Sequence, residues 1–262
     1  MPLDKPRAEF RQAADLLRAA IDAGEYPPGS RLPPEPVLAT RFDVGDRGVI
    51  NNAVRLLRAE GRLQVVRGKG TFVKSIPVIH RDATGRYNRA ARERAGARGA
   101  FDAEIRAIGL EPHSDVSVGL SVPPVEVAEV LGVPAGEANV IARTRKMYAG
   151  VPGGAREPVQ LAVSYIPAEI AADTQLAEED SGPGGIISRF AELGYPQVRI
   201  TESVKSRRPT PQEETFLQTD PDQFVNEIFH VGWTAEGRAV EVCVHVVPAT
   251  LWTLDSEWSI DS

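Results

Sequence analysis

The stretch LPPEPVLATRFDVGDRGVINNAVRLLRAEGRLQVVRGKGTFV, residues 32–73, decides the fold of the first part of the chain. It predicts a short helix, a turn at Asp43-Val44-Gly45-Asp46, a second helix over residues 47–60 and a two-stranded hairpin. Gly61 ends the second helix, and strands over residues 63–67 and 71–73 enclose a tight basic turn. Apolar residues recur in pairs at helical spacing along that helix: Val49/Ile50, Ala53/Val54 and Leu56/Leu57.

The other side of the second helix carries Arg and Asn residues and no carboxylate before Glu60. Asn pairs bidentately with adenine, and Arg with guanine or phosphate, when a helix enters the major groove of DNA. A Gly-flanked Lys at the hairpin tip lets backbone and cation approach phosphates or the minor groove closely. A solvated amphipathic helix followed by an ordinary hairpin is the alternative, which the spacing of the hairpin disfavours. The predicted DNA-binding residues are Arg47, Gly48, Asn51, Asn52, Arg55, Arg67, Gly68, Lys69, Gly70 and Thr71.

Several short motifs in this stretch resemble the winged helix-turn-helix domain of the GntR family of bacterial transcription regulators. They are Leu32-Pro33-x-Glu35, Leu38-Ala39, residues 44–61 and, most specifically, RGKGTFV at residues 67–73. Pro34 and Pro36 stand where the family usually has Ser and Arg, so an expected phosphate-contacting Arg is absent. Asn51-Asn52 replaces the more usual Arg followed by Arg or Gln. The resemblance implies DNA binding, and because of these departures it does not extend to the operator sequence.

Charge is divided unevenly along the 262 residues, whose net charge is −6. Residues 1–79 hold 13 Lys+Arg and 9 Asp+Glu, residues 80–100 hold 6 and 2, and residues 101–262 hold 11 and 25. The three segments therefore carry +4, +4 and −14, which indicates that only the N-terminal part meets phosphates. One cysteine excludes an intramolecular disulfide framework. No apolar run approaches the length of a membrane span, so we expect a cytoplasmic protein without a membrane partner.

We predict three segments: a DNA-binding domain over residues 1–75, a basic linker over 76–101 and a second domain over 102–262. An amphipathic helix over residues 8–23 should pack Phe10, Ala14, Leu17 and Ile21 on Leu38, Phe42, Val54 and Leu57. The Arg-rich linker is read as a solvated connection, with extra phosphate contacts as the alternative.

The second domain has an α+β pattern. Strands are predicted over residues 115–122, 139–148, 158–166, 198–206, 225–234 and 238–247, and helices over 124–131, 184–193 and 210–217. Residues about 114–258 resemble the UTRA domain of the HutC branch of the GntR family, through motifs in the following order: Leu131-Gly132-Val133-Pro134, Arg143-Thr144-Arg145, Ser164-Tyr165-Ile166-Pro167, Gly184-Gly185-Ile186, Gly194-Tyr195, Glu202, Arg208-Pro209-Thr210 and Gly237-Arg238-Ala239-Val240-Glu241. This resemblance implies a chorismate-lyase-like antiparallel sheet with helices that binds small effectors.

Strand alternation locates an effector site without the family. Arg143 and Arg145 lie two residues apart and point to one sheet face, where two cations require an anion, a carboxylate or water. In the last hairpin, His230 is expected opposite Cys243, on the face that also shows Glu241 and His245. The resemblance adds the Ser-Tyr strand and a Gly-Gly helix start. The predicted effector-binding residues are Arg143, Arg145, Ser164, Tyr165, Gly184, Gly185, Glu202, His230 and Glu241. The alternative is a structural ion pair of Arg143 with Glu202 or Glu241.

The sequence lacks nucleotide-binding and hydrolase motifs, and its four histidines show no metal-ligand spacing, so no enzyme, catalytic residue, metal or cofactor is predicted. His245 is read as a sheet residue and Cys243 as a core thiol. We expect a homodimeric transcriptional regulator, a repressor, that binds a two-fold symmetric operator in double-stranded DNA and is controlled by a small anionic effector. The competing prediction is a constitutive DNA-binding repressor whose C-terminal domain serves only dimerisation.

Overall fold

The computed structural model describes residues 5–66, 68–87, 99–220 and 222–260, without the side chains of residues 5–8 and 47. The chain divides into two compact units, Met1–Pro77 and Val78–Ser262, called here the first and the second unit.

The first unit contains three helices and one hairpin. The helices are α1 (Lys5–Asp22), α2 (Glu35–Arg41) and α3 (Arg47–Ala59), and the antiparallel strands are β1 (Leu63–Val66) and β2 (Gly70–Val73). The predicted packing of α1 on α2 and α3 is confirmed, because one buried cluster contains Ala14, Leu17, Leu38, Val54 and Leu57, with Phe10, Ile21 and Phe42 packed against it. Leu63 and Val73 of the hairpin join the same cluster, so the wing is held by the helical core. This is the predicted winged helix-turn-helix.

The second unit is built on a six-stranded antiparallel sheet. Its elements are β3 (Ile79–Asp82), a 3-10 turn (Gly85–Tyr87), α4 (Ala100–Ala107), β4 (Glu111–Ser121), α5 (Val125–Leu131), β5 (Val140–Gly150), β6 (Arg156–Pro167), α6 (Ala168–Ala171), a second 3-10 turn (Gln175–Ala177), α7 (Gly185–Glu192), β7 (Arg199–Arg207), α8 (Pro211–Leu217), β8 (Val225–Trp233), β9 (Ala239–Pro248) and β10 (Trp252–Asp255). The sheet order is β4-β5-β6-β9-β8-β7, and β3 pairs separately with β10 in parallel. The predicted α+β class with an antiparallel sheet is confirmed.

Alternation along the strands separates an apolar face from a polar face. On the apolar face, Val231 and Val242 pack with Val127 and Leu131 of α5, together with Phe229 and Val244. The predicted register of the last hairpin is confirmed, since His230 lies opposite Cys243. The polar face of β5, β8 and β9 forms the site described below.

The prediction of a solvated linker is wrong for part of residues 76–101. Strand β3 belongs to the second unit, and Arg81 on it is only 2% exposed. The Arg86 guanidinium lies 3.4 Å from the Glu104 carboxylate, and both side chains are largely buried. The pairing of β3 with β10 joins residues more than 170 positions apart, which no local pattern reveals. The remaining arginines of the expected linker, at positions 89, 92, 94 and 98, lie outside the described residues.

Candidate functional site

Helix α3 is positioned by an N-cap and by its buried apolar side. The Asp46 carboxylate accepts a hydrogen bond from the Gly48 N–H at 2.8 Å, which satisfies one free amide at the helix start. The apolar residues face the core as predicted: Val49, Ile50, Ala53, Val54 and Leu57 are buried. The opposite side is therefore directed to solvent, with Gly48, Asn51 and Arg55 exposed.

The two predicted base-reading amides differ in exposure, because Asn51 is exposed and Asn52 is half-buried. The Asn51 Nδ2 donates to Glu35 Oε1 on α2 at 3.1 Å. Since a carboxylate only accepts, the NH2 group of Asn51 must face Glu35. The amide oxygen and the second N–H remain for a base edge, which is the pair that reads adenine. The side chain of Arg47 lies outside the described part, so its contact stays a prediction.

The hairpin between β1 and β2 presents an exposed cation on a glycine-framed turn. Gly68 and Gly70 have φ of +76° and +117°, a region that favours glycine, and Lys69 between them is exposed. Thr71 is half-buried, and its carbonyl accepts from the Leu32 N–H at 2.8 Å. Arg67 lies outside the described residues. The turn thus offers Lys69 and two glycine backbones on one surface.

Arg31 is a candidate contact that sequence reasoning missed. Its exposed side chain lies against the hairpin, where a Cβ added at Gly70 would meet the Arg31 Nε at 2.8 Å. Backbone pairing of Arg31 with Phe72 holds it there. Its position immediately before Leu32-Pro33 was visible in the sequence, but its approach to the wing was not.

The second unit encloses a cavity of about 600 Å³ on the polar face of the sheet. Predicted residues that line it are Arg143, Arg145, Gly184, Gly185, His230 and Glu241. Apolar walls come from Phe101, Val116, Met147, Ile186 and Ile187. A cavity of this size, with apolar walls and a few converging polar groups, is typical of a small-molecule site.

The Arg143 guanidinium is hydrogen-bonded to backbone carbonyls of a nearby loop. It donates to the carbonyl oxygens of Leu176 at 2.8 Å, of Glu179 at 3.1 Å and of Glu178. The alternative of an ion pair with Glu202 or Glu241 is therefore wrong, because neither carboxylate bonds to it. Burial, together with neighbouring Arg145, lowers the pKa of Arg143 to about 10, so it remains charged at neutral pH.

Arg145, unlike Arg143, bonds to neutral side chains and not to backbone carbonyls. Its Nη2 lies 2.7 Å from Ser164 Oγ and 3.1 Å from Cys243 Sγ, and its buried Nε has no hydrogen-bond partner among the described residues. Glu241, on the same wall, accepts instead from Gln197 Nε2 at 2.9 Å. A guanidinium held by neutral groups keeps its capacity to bind an anion.

Glu202 and His230 form a polar cluster with two residues that were not predicted. One Glu202 oxygen, Oε1, accepts hydrogen bonds from the Arg81 guanidinium and from the Tyr87 hydroxyl at 2.9 Å. The same oxygen is hydrogen-bonded to His230 Nδ1 at 3.0 Å. Burial opposes the charge on Glu202, but His230, Arg81 and Tyr87 outweigh it and lower the pKa of this carboxyl. Glu202 itself lies behind Tyr87 and His230, both of which line the cavity.

Ser164, Tyr165 and Glu202 are the three predicted effector-binding residues that do not line the cavity. Tyr165 packs in the apolar cluster on the other sheet face, because it alternates with Ser164 along β6. Ser164 is fully buried beneath Arg145 and supports it. Gly184 and Gly185 do line the cavity, but the Gly185 N–H already donates to the Gly182 carbonyl at 3.2 Å, which leaves that amide unavailable as an anion donor.

Cys243, His245 and Gln160 complete the buried wall. Burial raises the pKa of the Cys243 thiol to about 11, which keeps it protonated and makes a nucleophilic role unfavourable. Burial, with Arg81, His230 and Arg145 nearby, lowers the pKa of His245, so its imidazole is neutral. His245 Nδ1 accepts from Gln160 Nε2 at 3.0 Å, which places the ring proton on Nε2. His245 is a sheet residue, as predicted, and strand alternation placed it on the polar face. Its position in the cavity wall was not predicted.

Comparison with known proteins assigns both units. Residues 10–73 match the family described as bacterial regulatory proteins, gntR family, and residues 107–251 match the UTRA domain. An uncharacterized HTH-type transcriptional regulator of Rhizobium meliloti is 32% identical over 240 residues, covering 89% of this chain and 88% of its own length. Another from Streptomyces coelicolor is 30% identical over 263 residues, covering 98% and 93%. The crystal structure of PhnF from Mycobacterium smegmatis shares the fold, with a TM-score of 0.57, 19% identity and coverage of 95% and 100%.

In the described part of the chain, no group of three or more His, Cys, Asp or Glu side chains is placed to hold a metal ion. None of the helices in that part is long and apolar enough to cross a membrane.

Proposed function

Because the chain belongs to the GntR family of bacterial transcription regulators, in the HutC branch that carries a UTRA domain, we propose that it is a repressor controlled by a small anionic effector. Two copies bind a two-fold symmetric operator through α3 and the hairpin. The effector occupies the cavity of the second unit and lowers operator affinity. No catalytic step is part of this proposal.

The position of Arg145 is the observation that best supports control by an effector. This residue is a partly buried cation at the wall of a cavity of about 600 Å³, in the segment of the chain that carries −14. Its neighbours Ser164 and Cys243 are neutral, so a ligand carboxylate or phosphate would supply the missing counter-charge. Neutral His245, with its Nε2–H, provides a donor on the same wall.

The competing function, a constitutive repressor with a second unit that only dimerises, draws support from Arg143. Its guanidinium donates hydrogen bonds to backbone carbonyls, so it does not require a ligand as a hydrogen-bond acceptor. Arg145 and the apolar cavity walls are not explained by dimerisation, so we favour the effector-controlled regulator.

The test begins with selection of a duplex from a random-sequence library by the full-length protein. A thermal-shift screen of anionic metabolites and their neutral analogues then identifies compounds, which are titrated into a mobility-shift assay on that duplex. We expect an anionic compound to weaken operator binding about tenfold or more, since coupling between sites is typically 1–3 kcal/mol. Unchanged operator affinity at saturation with every stabilising compound would rule out effector control.

A pair of matched variants locates the effect in the cavity. Arg145→Gln removes the unpaired cation and should abolish the response to the compound while operator affinity without it stays within about twofold. Arg156→Gln removes the same charge from an exposed position that does not line the cavity, and should respond as the unaltered protein does.

A further inference from the structure

The segment from Ile79 to Tyr87, called here the strap, follows directly after the boundary between the two units. Its backbone is fixed to the last strand, because the Ile79 N–H donates to the Leu251 carbonyl at 2.9 Å and the Ala83 N–H to the Asp255 carbonyl at 2.8 Å. A conformational change in the second unit that is transmitted through the backbone to the first unit must pass through this segment.

One cation of the strap, Arg81, is buried in the interior of the second unit. Arg81 is 2% exposed, its Nη2 bonds to Glu202, and its Nη1 has no hydrogen-bond partner among the described residues. A buried guanidinium depends strongly on its counter-charge, since loss of one member leaves the other desolvated and unpaired. The attachment of β3 to the sheet of six strands therefore depends on the state of Glu202.

The strap also contributes to the cavity itself through Tyr87. The Tyr87 ring stacks on His230 with centroids 5.4 Å apart and an interplanar angle of 27°. Its hydroxyl bonds to the same Glu202 oxygen that receives Arg81. Both Tyr87 and His230 line the cavity, so a ligand in contact with either side chain competes for the hydrogen bonds of Glu202.

We infer that the strap is the element through which cavity occupancy changes operator binding: Tyr87 contacts the ligand, and Glu202 carries that contact to Arg81 and β3. This inference rests on the proposed function. Among the described residues, Glu202 is the only carboxylate bonded to Arg81. A ligand that draws Tyr87 or His230 away from Glu202 changes the hydrogen bonds of this carboxylate. The strength of the attachment of the strap to the sheet then changes with them. Arg81 and Tyr87 belong to the second unit and the predicted DNA-binding residues to the first, so the proposed effect on DNA binding is indirect.

Hydrogen–deuterium exchange of the full-length protein, without ligand or DNA, tests the attachment. Glu202→Gln removes the charge and keeps the shape, and should speed exchange of the Ile79 and Ala83 amides about tenfold by easing local opening. Glu227→Gln is the matched control, because this carboxylate on β8 also bonds to an arginine, Arg207, and neither lines the cavity nor bonds to the strap. It should leave both amides unchanged. Tyr87→Phe keeps the ring on His230 and removes only the hydroxyl, which provides a milder variant should Glu202→Gln not fold.

Operator affinity tests the regulatory part, using the duplex selected by the unaltered protein. Glu202→Gln and Tyr87→Phe should change the dissociation constant about fivefold or more, and Glu227→Gln less than twofold. Equal exchange of strap amides in all variants would overturn the inference, as would faster exchange with unchanged operator affinity. Failure to select any duplex would instead remove the proposed function and the regulatory role together, while the exchange result alone still reports the attachment of the strap.

Discussion

In the proposed DNA interface, base recognition depends most directly on Asn51 of α3. Its NH2 group is oriented by Glu35, and the rest of the amide faces solvent on α3. An oriented amide loses less side-chain entropy on contact with a base than a freely rotating one. We therefore expect specificity to depend on the contact between Asn51 and Glu35 as well as on Asn51 itself.

We expect Asn51→Ala to weaken binding to the selected duplex by about 1–3 kcal/mol and to relax the preference for adenine at one position of each half-site. The stability of the protein should change by less than about 0.5 kcal/mol, because the side chain is exposed. Mobility shift on a set of single-position operator variants measures the first effect and urea unfolding the second. Asn226→Ala, the same change in the second unit, serves as control. An unaltered base preference in Asn51→Ala would exclude the assignment.

Burial, together with the nearby Glu202 and Asp82 carboxylates, makes the Glu104 carboxyl hold its proton more tightly. Burial raises its pKa to about 8, which the positive charge of Arg81 only partly opposes. Because the folded state holds this proton more tightly than the unfolded state, the stabilisation is fully present below the ordinary pKa of 4.5 and is lost as the pH rises through about 8.

The free energy of unfolding of the second unit should therefore fall between about pH 5 and pH 8, by at most about 1.4 kcal/mol per pH unit from this group. Glu104→Gln mimics the protonated form and should remove that part of the slope. All three tryptophans, Trp233, Trp252 and Trp258, lie in the second unit, so urea unfolding followed by tryptophan fluorescence reports on it. Glu111→Gln at an exposed position is the control. Parallel pH profiles for Glu104→Gln and the unaltered protein would contradict the assignment.

At the scale of elements, the wing hairpin and α3 have different tasks. Under the proposed function, α3 presents the side chains that distinguish bases. The hairpin presents Lys69 and two glycines, and a glycine has no side chain to read a base edge. The predicted contribution of the wing is therefore affinity without sequence information.

Lys69→Ala should weaken binding to all duplexes by a similar factor and reduce the slope of log K against log salt concentration by about 1, the value for one phosphate contact. Base preference should stay as it is. Lys205→Ala removes an exposed charge of the same sign from β7 in the second unit and should leave the salt slope unchanged. An undiminished slope in Lys69→Ala would exclude the phosphate contact.

Across the whole molecule, charge is divided along the chain in a way that separates the proposed DNA binding from the proposed ligand and dimer contacts. The segment over residues 1–79 carries +4 and the segment over residues 101–262 carries −14, so phosphates attract the first and repel the second. This division favours binding through the first unit alone and leaves the second unit free for ligand and dimer contacts.

A dimer of such molecules should bind half-sites whose centres lie about 34–36 Å, or 10–10.5 base pairs, apart, or a multiple of that distance. Insertion of about half a helical turn between the half-sites would rotate one of them to the opposite side of the duplex and should reduce affinity to that of a single half-site. Mobility shift measures the affinities, and sedimentation gives the stoichiometry. A duplex with an insertion of one full turn is the control. Equal affinity for both insertions would show that the half-sites are not read by a rigid pair.

Local sequence determined the helix-turn-helix, the wing and the face on which each strand residue lies. The outward side of α3 follows from apolar pairs at helical spacing and from the Asp46 cap, and the polar wall of Arg145, His230 and Cys243 follows from alternation along strands. These are properties of neighbouring residues, so they are readable before the chain folds.

Only the tertiary structure decided which partners those side chains have. Arg143 bonds to carbonyls more than 30 residues away rather than to a carboxylate, and Glu202 bonds to Arg81, 121 residues earlier in a segment expected to be a solvated linker. Tyr165 was placed with Ser164 by a motif, although alternation sends the two to opposite faces. The physical reason is that facing direction is set by backbone geometry within a strand, whereas partner choice depends on where distant loops and strands close over that face.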